Sequence, residues 1–570
     1  DKIYASICGV GLSNDGRGRS VLRPNPDGQY LAYERAYASS EISPSDIFYV
    51  EAHATGTPDG DPPELTSLDR FFGKHNAKPL IGSVKSNFGH LLTTAGMASM
   101  IKVILSMSES QIPATIKVSD PFSSPNHVIE PGQIVSKNRP WSAGAVKHAA
   151  VNAIGFGGTN AHLVFDQQNA KDLAKSKASL GKKKRSIIKP KTGSMAIVGM
   201  DAHFGACQNL DEFNYSIYTA EQNFTPLPPE RWKGIEDYPT ILDQYGITDK
   251  ESLTGAFISD FEFDISRYRI PPNEVESMIP QQLLMLKVAD QAIQDAKIKE
   301  GGNVGVIICM EADRTLHQLR GRIDLTWKVK NALDSQQAEP LEEILKDALR
   351  DPVRSTEFTS LIGNIMASRI SALWDFSGPS FTLSANENSV FKALEISQLM
   401  LSSGEVDAMV VGAVDLAGNF EDVLIRNHLM SNFNTESGSF YLSQNTNGWM
   451  IGEGAGAVVV KLPETANKEK DRSYAVIDAI GLSRGKVTTD IVENSKLTQK
   501  KAGIKAGDIG YLEVTGPGLD IETEIKGLVQ SFHSSSRDLT CALGSVTANF
   551  GYSFAASGMT SLIKNALCLH

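Results

Sequence analysis

The chain repeats itself across several hundred residues. The segment GSVKSNFGHLLTTAGMASMIK at 82–102 returns as GSVTANFGYSFAASGMTSLIK at 544–564, with 11 of 21 positions identical and an offset of 544 − 82 = 462. Upstream, ISPSDIFYVEAH (42–53) faces IKAGDIGYLEVT (504–515) at the same offset. DKIYASICGVGLS (1–13) matches DRSYAVIDAIGLS (471–483) at 471 − 1 = 470, so the second copy is 470 − 462 = 8 residues shorter between these points. Solenoid units recur every 20 to 50 residues or so, and a period this long is a duplicated domain instead.

With 570 residues, 41% hydrophobic and 21% charged, the chain exceeds what one core organises and predicts two or more domains. Between the copies, KDLAKSKASLGKKKRSIIKPKTGS (171–194) is rich in Lys and Ser without apolar periodicity, and reads as a solvated linker; an electrostatic patch for an acidic partner is the alternative. The expected organisation is a first domain over 1–168, a basic linker over 169–193 and a second domain over 194–570. The second copy stops before any equivalent of VNAIGFGGTNAHLVF (151–165), and the first lacks the front that the second shows. The first residue is Asp1, so the chain reads as a fragment.

A net charge of −11 argues against a nucleic-acid partner. The five cysteines, Cys8, Cys207, Cys309, Cys541 and Cys568, lie far apart with no CxxC spacing. That predicts neither a disulfide framework nor a metal site, and suits a reducing cytoplasm. No apolar run approaches the roughly 18 residues a membrane span needs. Short buried-strand patterns, SMAIVGM, VGVIICM, AMVVGAV and GAVVVKL, alternate with amphipathic helical patterns such as PQQLLMLKVADQAIQDAKI and SVFKALEISQLMLSSGEV. The fold class is therefore α/β, a sheet covered by helices.

In the first copy, His53 and His90 each follow an apolar strand, and Lys85 precedes His90 by five residues. Neutral imidazoles donate N–H to a carbonyl oxygen that gains negative charge, and a nearby ammonium orients or charges them. Thr55 and Thr57, two apart, present hydroxyls to one side of an extended segment, suited to the amides of a pantetheine arm. Glu64 is placed to pair with Lys85. Each residue alone has a blander reading: a histidine beside a strand is more often structural, and GFGGTN is compatible with a flexible turn. GEGAG (452–456) resembles a dinucleotide loop but precedes a strand instead of linking strand to helix, which excludes that reading.

Taken together and in order, EAHATGT…GD..E, KSNFGHLLTTAG and NAIGFGGTNAH resemble the C-terminal half of a β-ketoacyl synthase. The resemblance implies a thiolase-like fold of layers αβαβα in two tandem copies. It makes His53 and His90 the active-site histidines, Lys85 the lysine of the KSxxGH motif, and Phe156 with Gly157 the gating turn. Ala54 stands where the family usually has glycine. The family's nucleophilic cysteine motif, of the form TxDxAC(S/A)SS, is not in the chain, and none of the five cysteines has its context, so the nucleophile is expected upstream of Asp1.

The second copy resembles the same fold without its reagents. GPSFTLSANENSVFKAL (378–394) aligns with the nucleophile motif, with Glu387 at the cysteine; Thr515, Thr547 and Tyr552 replace the first histidine, the lysine and the second histidine. This resembles a chain-length factor, and the order of domains resembles polyunsaturated fatty acid synthases. The resemblance implies a β-ketoacyl-[acyl carrier protein] synthase, an acyltransferase making decarboxylative Claisen condensations. No cofactor is bound directly, and the phosphopantetheine arm of acyl carrier protein carries the substrate. Acyl carrier protein is thus the implied partner, and the copies are expected to form a pseudo-dimer, itself in a homodimer. The alternatives are a non-catalytic dimerisation and carrier-docking scaffold, or the ketosynthase region of a polyketide or glycolipid synthase. A degradative thiolase is disfavoured because thiolases use a second cysteine as base where this chain has histidines.

Overall fold

The computed structural model describes residues 3–18, 23–141, 147–167, 193–232, 234–244, 247, 253–275, 278–312, 315–332, 342–343, 345–346, 362–418, 420, 422–423, 425–426, 450–485, 487–514, 521–532 and 541–570. Almost all of the basic linker and the degenerate position Thr515 lie outside them. The chain divides into two compact units: Asp1–Lys191 with Lys299–Val306 and Ala367–Phe381, and Thr192–Ile298 with Ile307–Met366 and Thr382–His570.

In the first unit, strands β1 (Ser6–Asn14), β2 (Tyr49–Glu51), β3 (Leu80–Gly82), β4 (His148–Gly155) and β5 (Thr159–Asp166) form one sheet in the order β1-β5-β4-β2-β3. Strand β2 pairs parallel with both β3 and β4, so these three strands end on one edge of the sheet. The loops that follow them carry His53, Lys85 and Phe156. Helices α1 (Pro26–Ser39) and α2 (Asp61–Lys74) bury Tyr33, Leu68, Phe71 and Phe72 against Val50, Ala150 and Val164 of the sheet. Asn25 caps α1 by accepting from the Asp27 amide, and Pro26 sits at its first turn, where a missing N–H costs nothing. Arg35 on α1 donates to the carbonyls of Leu12 and Ser377 and to Asn303 Oδ1, which ties the later stretches of chain into this unit.

The second sheet has the order β8-β7-β9-β10-β6-β11, from β6 (Met195–Phe204), β7 (Val304–Cys309), β8 (Ser380–Leu383), β9 (Ala408–Asp415), β10 (Gly454–Lys461) and β11 (Ala475–Ile477). The four apolar runs picked out in the sequence are β6, β7, β9 and β10, and each is buried along its whole length, as central strands covered on both faces must be. The two amphipathic segments are helices Pro280–Asp295 and Ser389–Ser403. The GEGAG glycines serve packing: a Cβ on Gly454 would lie 2.2 Å from Phe204 Cδ1, and one on Gly456 2.7 Å from Met559 Cγ. Strands β12 (Tyr511–Glu513) and β13 (Ala542–Gly544) pair parallel, the same pattern as β2 and β3. Among the described residues no helix is long and apolar enough to cross a membrane.

Candidate active site

Two residues beyond β2, the backbone turns through His53 and Ala54. Ala54 has φ +33°, in the left-handed region that costs a side-chain-bearing residue roughly 1–2 kcal/mol. The Glu64 carboxylate, in the first turn of α2 and 3% exposed, holds this turn with both oxygens: Oε1 accepts from the His53 amide at 2.7 Å and Oε2 from the Ala54 amide at 2.8 Å. Glu64 thus clamps backbone. Its expected ion pair with Lys85 does not form; the two interact only through charge at longer range.

Lys85 opens a single helical turn, Lys85–Phe88, closed by Gly89 at φ +77°. His90 therefore follows this turn and not the strand itself, which corrects the placement read from the sequence. The turn carries the Lys85 ammonium back to 3.4 Å from His53 Nδ1, and the His53 and His90 rings meet edge to face with centroids 5.3 Å apart.

These contacts fix the protons. An ammonium has only donors, so His53 Nδ1 accepts from Lys85 and the ring proton sits on Nε2. The Leu92 amide donates to His90 Nδ1 at 3.3 Å, which puts that proton on Nε2 too. Burial, then Lys85, then His90 hold His53 far below the ordinary imidazole range, at about 3; burial and Lys85 lower His90 as well. Both rings are neutral near pH 7, each with one N–H to offer. Burial lowers Lys85, opposed by the carboxylates Glu64, Glu51 and Asp61.

Thr55 and Thr57 lie together, hydroxyls 2.9 Å apart, although the segment between them is a turn at Gly56 (φ +74°) and not extended chain. Phe156, half exposed, and Gly157, at φ +82°, form the tip of the β4–β5 hairpin on the same edge of the sheet as His53. In the second unit, Glu387 is exposed in the turn Asn386–Asn388 that leads into the helix Ser389–Ser403, and its charge, after burial, raises the pKa of the buried Tyr552 hydroxyl nearby. The positions of the nucleophile and the second histidine are therefore neighbours there. Thr547 opens the turn Thr547–Phe550 and shares a hydrogen bond with Ser545 Oγ at 2.6 Å. Among the described residues, no three His, Cys, Asp or Glu side chains gather as a metal site.

The model for the N-terminal domain of β-ketoacyl synthases matches residues 193–466, and that for their C-terminal domain matches twice, at 4–119 and 474–570. The chain belongs to the β-ketoacyl synthase family. A solved structure, PfaC Keto synthase-Chain length factor, aligns with all of this chain and 59% of its own at 39% identity and a TM-score of 0.89. A polyunsaturated fatty acid synthase polypeptide of Thraustochytrium sp. is 35% identical over 590 residues, covering all of this chain and 28% of that protein. The ketosynthase from module 6 of the Bacillus subtilis bacillaene synthase, at 22% identity and a TM-score of 0.52 over 66% of this chain and 61% of that one, shares the fold. The fold is thus thiolase-like α/β. The chain spans under a third of its curated relative.

Sequence reasoning passed over the groups behind His53. Asn152 and His162 are direct cross-strand partners on β4 and β5. Both stand at the ends of the NAIGFGGTNAH motif, and counting outward from its Gly-Gly turn pairs them.

Proposed function

We propose that the chain is the ketosynthase and chain-length factor part of a polyunsaturated fatty acid synthase, working in the cytoplasm on acyl carrier protein. The observation that carries this reading is the pair of neutral imidazoles, each with its proton on Nε2, beside a buried ammonium. In the reaction, the bond between the malonyl α-carbon and its carboxylate breaks and carbon dioxide leaves. The electron pair passes into the thioester as an enolate, whose oxygen takes hydrogen bonds from His53 and His90. The enolate carbon then attacks the carbonyl carbon of an acyl group on the nucleophilic cysteine, the carbon–sulfur bond breaks, and the thiolate returns. Thr55 and Thr57 hold the pantetheine arm, and Phe156 with Gly157 gates entry.

The thiol itself belongs to a segment outside this chain. Burial raises Cys8 and Cys309 and pushes Cys207 up to about 11, the opposite of an activated thiolate. The first repeat also exposes an apolar face: Phe88, Met97 and Ile101 are 72%, 56% and 52% exposed, whereas Phe550, Met559 and Ile563, one offset later, are 1%, 0% and 0%. In the second repeat that face lies under β6, β10 and Phe213, which stacks on Phe550 at 4.7 Å. A segment with the chemistry of β6 and β10 covers it in the first repeat and brings the cysteine. The second repeat is inactive and sets chain length.

The test is condensation by the complete synthase carrying His53→Ala or His90→Ala. Removing one such donor costs about 3 to 4 kcal/mol of barrier, a loss of about 10²–10³-fold. Elongation at near the native rate by either variant removes these residues from the mechanism.

A further inference from the structure

Behind His53 lies a buried chain of hydrogen bonds that none of the proposed chemistry uses. Asn152 Nδ2 donates to Glu64 Oε1 at 2.8 Å and to Tyr33 Oη at 3.1 Å. Asn152 Oδ1 lies 2.6 Å from His162 Nδ1, and His162 Nε2 lies 3.4 Å from Tyr37 Oη. Asn152 and His162 are essentially without solvent contact.

One group sets the direction of all the others. Both Glu64 oxygens are acceptors toward the His53 and Ala54 amides, so the Asn152 atom facing Oε1 must be the amide nitrogen. The Asn152 carbonyl then faces His162, whose Nδ1 must carry the proton. His162 Nε2 is left as acceptor for the Tyr37 hydroxyl. Tyr33 Oη, already accepting from Asn152, donates to Ser67 Oγ at 3.0 Å, and Ser67 donates onward to Gln29 Oε1 at 2.7 Å. Ser67 Oγ also lies 2.8 Å from the Glu64 carbonyl, a second acceptor for its one proton. Turning the Asn152 amide over would set its carbonyl against the Glu64 carboxylate, and it would also leave the His162 Nδ1–H without its acceptor.

We propose that His162 is a positioning residue for condensation: through Asn152 and Glu64 it fixes the backbone of His53 and Ala54, and so the line of the His53 N–H. This rests on the functional reading above, in which His53 donates to the enolate. Ala54 makes the need for it concrete, since its φ of +33° relaxes unless both amides are held. A donor displaced by about 1 Å loses on the order of a hundredfold in rate.

The experiment uses the complete synthase with His162→Phe, which keeps the ring volume without the N–H, Asn152→Asp, and His162→Gln, whose side-chain amide restores a donor. Amide hydrogen exchange at His53 and Ala54 is compared with that of Val50 on the adjoining strand, and kcat and KM are measured for condensation. We expect exchange to quicken more than tenfold at His53 and Ala54 alone in His162→Phe and Asn152→Asp. We expect kcat to fall ten- to a hundredfold at unchanged KM, with most of both effects recovered in His162→Gln. Exchange that quickens equally at Val50, or not at all, overturns the proposal, as does native kcat in His162→Phe. His53→Ala serves as the separate arm: condensation persisting there sinks the functional reading, while the exchange data still decide whether the relay holds the loop.

Discussion

The two repeats keep one scaffold and differ in what it carries. In the first, Tyr49 Oη donates to Glu51, Lys102 Nζ lies 2.8 Å from the same carboxylate, and the Val84 amide donates to its other oxygen. In the second, Tyr511, Lys564 and the Val546 amide surround Glu513 in the same way, with Lys564 Nζ also at 2.8 Å. Each residue is displaced by 462, as 513 − 51 shows. The turn that follows keeps its shape, Gly89 and Gly551 both having positive φ, and so do Leu92 and Phe554 three residues on. Against that shared frame His53, Lys85 and His90 of the first repeat are Thr515, Thr547 and Tyr552 in the second. The frame tolerates these exchanges because Glu51 and Glu513 are held by a Tyr, a Lys and a Val amide, none of which is an exchanged position.

The largest effect separates the repeats by their reagents. Writing the second repeat's residues into the first, His53→Thr with His90→Tyr, removes both proposed enolate donors and is expected to lower condensation by at least about 10³-fold. Glu387→Ala in the second repeat changes the condensation rate less than twofold, read in the same carrier-protein assay. A tenfold loss in Glu387→Ala would make the second repeat a participant in the chemistry and break the comparison.

Next in size is the shared scaffold. Lys102→Met strands Glu51, which has no solvent contact, and leaving one charge of a buried pair unpartnered costs about 3–5 kcal/mol. Lys564→Met strands Glu513, whose side chain is 1% exposed, and has a comparable cost. Denaturant unfolding of the two variants compares them. A cost in one variant less than half that in the other would break the likeness of the two scaffolds.

How much of this was legible in the sequence follows from how local each signal is. The four buried strands of the second sheet stood out because uninterrupted Val, Ile and Ala runs have no other stable place. The duplication located Thr547 and Tyr552 by arithmetic, and the resemblance to the nucleophile motif located Glu387. What spacing misplaced was decided in three dimensions. His90 follows a helical turn that only Gly89's positive φ closes, and Glu64 prefers two amides of its own loop to a lysine 21 residues away. Tyr552 and Glu387 influence one another across 165 residues of sequence, beyond any local pattern.

A third prediction concerns pH. In the proposed reaction His53 acts as a neutral donor, and burial, Lys85 and His90 hold it at about 3. Removing the like charge in Lys85→Met lets its pKa climb toward the ordinary 6.5, by about one unit. The acid limb of the rate profile therefore moves to higher pH. Stability responds with the same sign. A histidine whose folded pKa is depressed costs nothing above the unfolded value near 6.5, and it destabilises progressively as pH falls below that value, because only the unfolded chain takes up the proton. For the fully buried His162, also at about 3, this amounts to about 2 kcal/mol at pH 5. An unfolding midpoint that is flat between pH 7 and 5 would show these rings to be protonated already in the fold.

The smallest effect lies at Ala54, whose counterpart by the 462 offset is Gly516. Copy two thus keeps the glycine that a left-handed backbone favours, and copy one bears a methyl group at φ +33°. Restoring glycine relieves roughly 1–2 kcal/mol of local strain. It also adds backbone freedom to the unfolded chain, worth about 0.5–1 kcal/mol in the other direction. The balance for Ala54→Gly is a gain between zero and about 1 kcal/mol, measured as the shift of the unfolding midpoint. Condensation should stay within twofold, since Glu64 grips the amides of residues 53 and 54 whatever the side chain. A loss of more than about 1 kcal/mol would mean that the alanine methyl is packed and not strained, and that the first repeat gave up its glycine for contact.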